Sequence, residues 1–173
     1  MEHARTDHSS YVVQVMPPRR RVLRWGALAA VATLAGGCAK PPPPPVTTPV
    51  NLQLVGAANM NPDSRGRASP LALRVYALKT SSGFDTADFF ALFEKDVATL
   101  GGDLIKKEEV LLKPGETHTV SFVLPADASA IGILAAYRDL SRAQWRQTVA
   151  LQPGQPLNLN STFGDRAITL QRR

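Results

Sequence analysis

The chain of 173 residues has room for one domain, and its 44% hydrophobic and 20% charged residues are typical of a globular protein and exclude a disordered one. The formal net charge is +6, but residues 38–173 hold only 15 basic and 12 acidic residues, a mild excess that argues against a nucleic-acid partner. One cysteine and three histidines, two of which are His3 and His8, exclude an internal disulfide and a multi-histidine metal centre in the folded part.

Residues 1–37 are predicted to form a signal peptide. Residues 19–24 (RRRVLR) are positively charged and precede eleven apolar residues, 25–35 (WGALAAVATLA). That length suits the apolar part of a signal peptide and falls short of the roughly 20 residues that span a bilayer. Residues 34–38 (LAGGC) resemble a bacterial lipobox, which implies that Cys38 becomes the first mature residue and carries covalent lipid. An ordinary secretory cleavage beside an incidental cysteine is the alternative.

The segments that flank the signal peptide lead to two further expectations. Met16 would begin a signal of ordinary length, so residues 1–15 are interpreted as an over-extended start. After Cys38 come Ala39 and Lys40, with no Asp as an inner-membrane retention signal, so the resemblance implies an outer-membrane anchor on the periplasmic face. Five consecutive prolines at 41–45 favour polyproline II, and residues 38–49 are therefore predicted to form a semi-rigid stalk.

Residues 50–173 are predicted to form an all-β domain of about eight short strands, the number expected of a two-sheet β-sandwich. Apolar and polar residues alternate in most of these segments, as in a strand with one buried face. Residues 130–137 (AIGILAAY) are apolar on both parities, which predicts a central strand covered on both faces. The predicted strands lie within residues 50–54, 71–77, 109–112, 117–124, 130–137, 145–151, 157–159 and 168–170, with 113–116 as a hairpin turn or corner.

A helical segment, or a broken pair of helices, is predicted after Phe84. Apolar residues recur there at helical spacing, Asp85 or Thr86 can cap the N-terminus, and Gly101-Gly102 supplies the stop. The apolar stripe is expected to pack on the sandwich, and a partner-binding helix is the alternative. The stripe comprises Phe89, Phe90, Leu92, Phe93, Val97 and Leu100.

The domain carries few residues suited to catalysis. His118 is its only histidine, and no G-x-S-x-G motif occurs. Because His118, Val120 and Phe122 are spaced two residues apart, they lie on the same face of the predicted strand. We therefore expect His118 to pack beside the two apolar side chains in a structural role. Two acidic pairs have ordinary explanations. Asp85 with Asp88 suits a helix start, and Glu108 with Glu109 follows Lys106-Lys107 in a predicted solvated strand or loop. We therefore expect no enzyme, no cofactor or metal and no small-molecule substrate.

Residues 58–70 (ANMNPDSRGRASP) form a loop longer than a strand connection requires. Its Asn61-Pro62-Asp63 start and Gly66 supply turn chemistry, while Arg65 and Arg67 are expected to project charge. Long loops on a rigid sandwich often carry recognition, although a solvated connector remains the alternative.

An ordered set of motifs resembles the TssJ (SciN, VasD) lipoproteins of the type VI secretion system. It includes residues 61–70 (NPDSRGRASP), 73–79 (LRVYALK), 87–90 (ADFF), 114–117 (PGET) and 135–139 (AAYRD), followed by Trp145-Arg146. Ala68 departs from the Pro that the family often has there. The motifs appear in the family's order and, with the lipobox, cover nearly all of the mature chain.

The resemblance implies a transthyretin-like β-sandwich that is anchored to the outer membrane and binds the periplasmic C-terminal region of TssM, an inner-membrane protein. In this family the loop between the first two strands makes that contact. The corresponding residues here are Asn61, Pro62, Asp63, Ser64, Arg65, Gly66 and Arg67.

Two other functions remain open from the residues alone. A lipoprotein with a carbohydrate- or small-ligand-binding sandwich would need exposed aromatic side chains on one face, and Tyr76, Tyr137 and Trp145 are few and scattered. A lipid-anchored hydrolase would depend on His118 alone.

Overall fold

The computed structural model describes residues 43–173, so the predicted signal peptide, Cys38 and the prolines at 41 and 42 lie outside the described residues. The first strand begins at Thr47, inside the range 38–49 predicted as stalk, and therefore extends the domain toward its N-terminus. No helix within residues 43–173 is long and apolar enough to cross a membrane.

Eight strands form two four-stranded sheets, which confirms the predicted β-sandwich with a small helical insertion. The first sheet has the order β4-β1-β7-β8 and the second β3-β2-β5-β6. All neighbours are antiparallel except β1 and β7, which are parallel. The elements are β1 (Thr47–Gly56), β2 (Leu71–Leu78), α1 (Ser82–Thr86), α2 (Phe89–Leu100), a 3-10 turn (Gly101–Asp103), β3 (Leu104–Leu112), β4 (Thr117–Pro125), β5 (Ala130–Ala135), β6 (Arg146–Ala150), β7 (Leu157–Phe163) and β8 (Ile168–Arg172).

The main core lies between the two sheets and follows from strand alternation. On β1 the inward residues Val50, Leu52 and Leu54 are fully buried, while their neighbours Asn51 and Gln53 face outward. Strand β5 is buried along its whole length, as its doubly apolar pattern predicts, because the helices cover the face that points away from this core.

The 113–116 turn is a corner between the sheets, since β3 belongs to the second sheet and β4 to the first.

The prediction that His118 packs beside Val120 and Phe122 is wrong. His118 shares their parity but is exposed, because it lies near the start of β4, an edge strand whose first three residues are all exposed. Alternation along a strand predicts burial only as far as the opposing sheet extends.

The helices form a second hydrophobic layer on the outer face of the second sheet. Phe84 of α1 is fully buried there and packs at a tilt against Tyr76, with ring centroids 5.5 Å apart.

The N-cap of α2 is Asp88, whose carboxylate accepts a hydrogen bond from the N–H of Ala91. The prediction that Asp85 or Thr86 caps the helix is therefore wrong. The predicted stop is confirmed, because Gly101 follows the helix with a φ of 51°, which favours glycine.

Helix α2 is kinked at Lys95, whose φ of −134° is not helical. The kink frees backbone carbonyls, and side chains supply donors to them: Tyr76 Oη to the Leu92 oxygen at 3.2 Å and Thr99 Oγ1 to the Ala91 oxygen at 2.9 Å.

The predicted apolar stripe of α2 is divided by the packing. Leu92 and Leu100 are buried, but Phe90 and Val97 are 60% and 65% exposed, so the expectation that the whole stripe packs on the sandwich is wrong for these two residues.

A charged network joins α2 to the second sheet around Asp96. Its Oδ2 lies 2.8 Å from Lys107 Nζ and 3.3 Å from Arg74 Nη1, and Glu109 lies 2.9 Å from the same Lys107 Nζ. Burial raises the pKa of Asp96, but the Lys107 hydrogen bond and the neighbouring cations outweigh it, so its pKa lies below the ordinary value. Lys107 thus links β3 to the helix through Asp96, whereas Glu108 and Glu109 are exposed on β3, as the predicted solvated strand or loop implies.

The packing of Phe84 on Gly132 of β5 generates a stability prediction. A Cβ at position 132 would lie 2.9 Å from Phe84 Cε1, so Gly132→Ala should lower the free energy of unfolding by about 1–3 kcal/mol through overpacking. The matched control is Gly83→Ala in α1, where a Cβ meets nothing within 4 Å and alanine favours helix. Urea denaturation of both variants measures the difference, and equal midpoints would contradict this packing.

Candidate functional site

The 58–70 loop leaves β1, crosses the end of the sandwich and enters β2 in the other sheet. Its Met60 is fully buried beneath the loop, and the Met60 carbonyl accepts the N–H of Ser69 at 3.1 Å. The N–H of Asn61 in turn donates to the Gly164 carbonyl at 3.3 Å. These bonds fix both ends of the loop to the domain, so the protruding part is residues 62–68.

Asn61 is buried and adopts a φ of 47°, the left-handed conformation that Asn tolerates better than most residues. Its Nδ2 donates to the Pro70 carbonyl at 2.9 Å, which closes the loop on itself. Its Oδ1 accepts the backbone N–H of Arg138 at 2.8 Å, across 77 positions of sequence. One side chain therefore ties the loop to the segment that follows β5.

Asp63 braces the protruding part from within. One carboxylate oxygen accepts the backbone N–H groups of Arg65 and Arg67, both at 2.9 Å, and the other lies 2.8 Å from Arg67 Nε and from Arg67 Nη2. Gly66 has a φ of 77°, which allows the tight turn between them. The Arg67 N–H and guanidinium, together with the Arg65 N–H, hold the pKa of Asp63 below its ordinary value.

The two arginines of the loop have different environments. Arg67 projects from the loop with 71% of its side chain exposed, and its guanidinium is paired with Asp63. The Arg65 guanidinium makes no ion pair within residues 43–173, as expected of a residue that projects charge.

An open groove of about 770 Å³ lies between this loop and the segment after β5. The far wall consists of Arg138, Asp139 and Arg142, with Arg166 from the turn before β8. Asp139 lies 2.9 Å from Arg166 Nε and 3.4 Å from Arg142 Nε, and these cations hold its pKa below the ordinary value. The groove is lined by Pro62, Asp63, Ser64, Arg65, Arg67, Arg138, Asp139, Arg142 and Arg166.

The predicted site residues 61–67 therefore lie together, with Asn61 buried at the base. Pro62, Asp63, Ser64, Arg65 and Arg67 line the groove, and Gly66 forms the turn between the last two. The arginines of the far wall were not predicted to join them. The available signal was the 135–139 motif (AAYRD), which supported the family resemblance without indicating where it lies. In the described part of the chain no group of three His, Cys, Asp or Glu side chains could hold a metal ion.

A rigid sandwich with a braced loop beside a charged groove defines a β-sandwich recognition domain, a class in which loops at one end of the sheets bind other molecules. The family model described as "Type VI secretion lipoprotein, VasD, EvfM, TssJ" matches residues 48–171. The chain belongs to this family of type VI secretion lipoproteins.

Solved structures agree with this assignment. The T6SS lipoprotein TssJ1 from Pseudomonas aeruginosa is 41% identical with a TM-score of 0.69, over 75% of this chain and 98% of that one. A chain in a structure described as "Type VI membrane complex" is 27% identical, with a TM-score of 0.62 over 74% and 99%. A chain in a structure described as the C-terminal domain of the T6SS protein TssM from EAEC is 26% identical, with a TM-score of 0.60 over 71% and 97%. A search of curated protein sequences found no match.

The bracing by Asp63 leads to a prediction for loop dynamics. Asp63→Ala should speed hydrogen exchange of the Arg65 and Arg67 amides, because both donate to its carboxylate. Ser64→Ala, which changes an exposed neighbour, is the control and should leave both rates near wild type.

The lowered pKa of Asp63 determines how the protection of the Arg65 and Arg67 amides from exchange changes with pH. Since the pKa of Asp63 is lowered in the folded loop, protection is complete above about pH 4, the pKa range of an unperturbed Asp, and is lost as pH falls through the lowered pKa. Equal exchange in wild type and Asp63→Ala would show that the carboxylate does not brace the loop.

Proposed function

We propose that this protein is a structural component of the type VI secretion membrane complex that is anchored in the outer membrane and binds the periplasmic C-terminal region of TssM. The observation that carries the proposal is the internally braced loop 61–67, presented at one end of a family sandwich. The similar chain in the structure described as the TssM C-terminal domain supports TssM as the partner.

The direction of β1 supports this arrangement. Its first residue, Thr47, continues from the predicted stalk, and its last residue, Gly56, leads into the loop. A strand of ten residues at about 3.3 Å per residue spans roughly 30 Å. The loop therefore lies at the end of β1 opposite Thr47, the residue through which the chain continues from the predicted stalk.

The proposed anchor is the lipid on Cys38, which stands after LAGG in the lipobox-like segment. Each buried methylene contributes about 0.8 kcal/mol, so stable anchoring takes two or more acyl chains. Ala39 and Lys40 follow Cys38, with no Asp as an inner-membrane retention signal, which supports the outer membrane as the proposed site of the anchor.

The proposed role is binding, and it requires no catalytic group, cofactor, small-molecule substrate or nucleic acid. His118 is exposed near the start of β4 and is not among the residues that line the groove. We therefore expect His118→Gln to leave binding near wild type.

The anchor is tested by Cys38→Ser in the producing bacterium. The substitution removes the thiol that accepts lipid, so the protein should lose incorporation of labelled palmitate and leave the outer-membrane fraction. A Cys38→Ser protein that stays in the outer membrane with normal processing contradicts the assignment.

The binding loop is tested by titration calorimetry of the chain from residue 38 onward, carrying Cys38→Ser, with the periplasmic C-terminal fragment of TssM. Arg65→Glu should weaken binding by about 1–3 kcal/mol without changing the thermal melt, because its guanidinium braces nothing in residues 43–173. Arg67→Glu is unsuitable because it also breaks the Asp63 brace.

Lys95→Glu, an equal charge reversal at an exposed position on α2, is the control for Arg65→Glu and should bind as wild type. Wild-type affinity in Arg65→Glu and in a variant with residues 62–68 replaced by a Gly-Ser turn would place the TssM contact elsewhere.

A further inference from the structure

The positive charge of the described domain is concentrated in one place. Residues 43–173 contain 14 Lys and Arg and 12 Asp and Glu, which nearly balance. The groove alone is lined by five arginines and two aspartates. Its basic character is therefore local, and the rest of the domain surface carries a slight acidic excess.

Internal ion pairs do not neutralise all of these arginines. Arg67 is paired with Asp63. Arg142 and Arg166 share Asp139, and Arg166 also lies 3.1 Å from Asp165.

Among the ion pairs of residues 43–173, none includes Arg65 or Arg138. These two residues stand on opposite walls of the groove, one in the 61–67 loop and the other after β5. The Asn61 hydrogen bond to the Arg138 backbone N–H holds the two walls together, so the groove is already formed without a ligand.

We propose that this groove receives an acidic peptide segment of the protein partner, whose carboxylates are bound by Arg65 from one wall and Arg138 from the other. The inference rests on the proposed function for the identity of that partner as TssM. Guanidinium groups bind carboxylates through two parallel hydrogen bonds, and Pro62 is the only apolar residue of the lining, so an apolar peptide does not fit. The interface thus extends beyond the 61–67 loop onto the segment after β5.

Phosphate groups of lipid would also suit arginines, but the position of the groove argues against them. The groove lies at the end of β1 that leads into the loop, roughly 30 Å along the strand from the residues next to the stalk. A domain anchored through residues before β1 is attached at the end of that strand opposite the groove.

The test is a series at position 138, measured by calorimetry with the chain from residue 38 onward carrying Cys38→Ser and the periplasmic C-terminal fragment of TssM. Arg138→Glu should weaken binding about tenfold or more at roughly 0.05 M salt, and Arg138→Gln by less. Arg138→Lys keeps the charge but loses the paired hydrogen bonds, so its affinity should lie between wild type and Arg138→Gln. The losses should shrink at roughly 0.5 M salt, where exposed charges are screened.

Lys95→Glu is again the control, and thermal melts check folding, which should be unchanged because Arg138 is exposed and its side chain makes no hydrogen bond or ion pair within residues 43–173. If Arg65→Glu weakens binding and Arg138→Glu does not, the groove inference is overturned while the proposed function stands. If the wild-type chain does not bind the TssM fragment, the proposed function itself fails. Phosphatidylglycerol vesicles that bind wild type and not Arg138→Glu would overturn the acidic-peptide assignment in favour of lipid phosphate.

Discussion

The end of the domain that carries the candidate site depends on the side-chain amide of Asn61. Its nitrogen closes the loop through the Pro70 carbonyl, and its oxygen accepts the N–H of Arg138. The backbone at position 61 is in the left-handed conformation, with a φ of 47°. Alanine there would lose both bonds and disfavour the conformation, whereas glycine would keep only the conformation. The two walls of the groove therefore depend on one buried polar residue.

Much of the fold could be predicted because the relevant signals are local. The alternation in β1, the doubly apolar pattern of β5 and the glycine stop at Gly101 depend only on neighbours within a few positions, and all three predictions are confirmed. Local signals did not decide the N-cap of α2. Asp85, Thr86 and Asp88 can all cap a helix, and the structure has two helices, the second of which begins after Asp88.

The site was harder to predict because its electrostatics join distant parts of the chain. The Asp63–Arg67 brace lies within five residues and has the spacing of a local pair, yet only the turn at Gly66 brings the two side chains together. Arg138 and Arg166 reach the loop through sheet topology, which no pattern in the 58–70 segment contains. The ion pair between Lys107 of β3 and Asp96 of the kinked helix could not be predicted for the same reason. The two residues belong to different elements, and each looks solvated when the sequence is considered alone.

The position of β1 in the first sheet has a mechanical consequence. The strand lies between β4 on one side and β7 on the other, hydrogen-bonded to both along most of its length. Tension between the stalk and a partner held at the loop would act along the axis of β1. Such a load shears both ladders at once and distributes the force over many backbone hydrogen bonds, whereas a pull at right angles would open them one after another. The topology thus resists unravelling under a load applied between the two ends of β1.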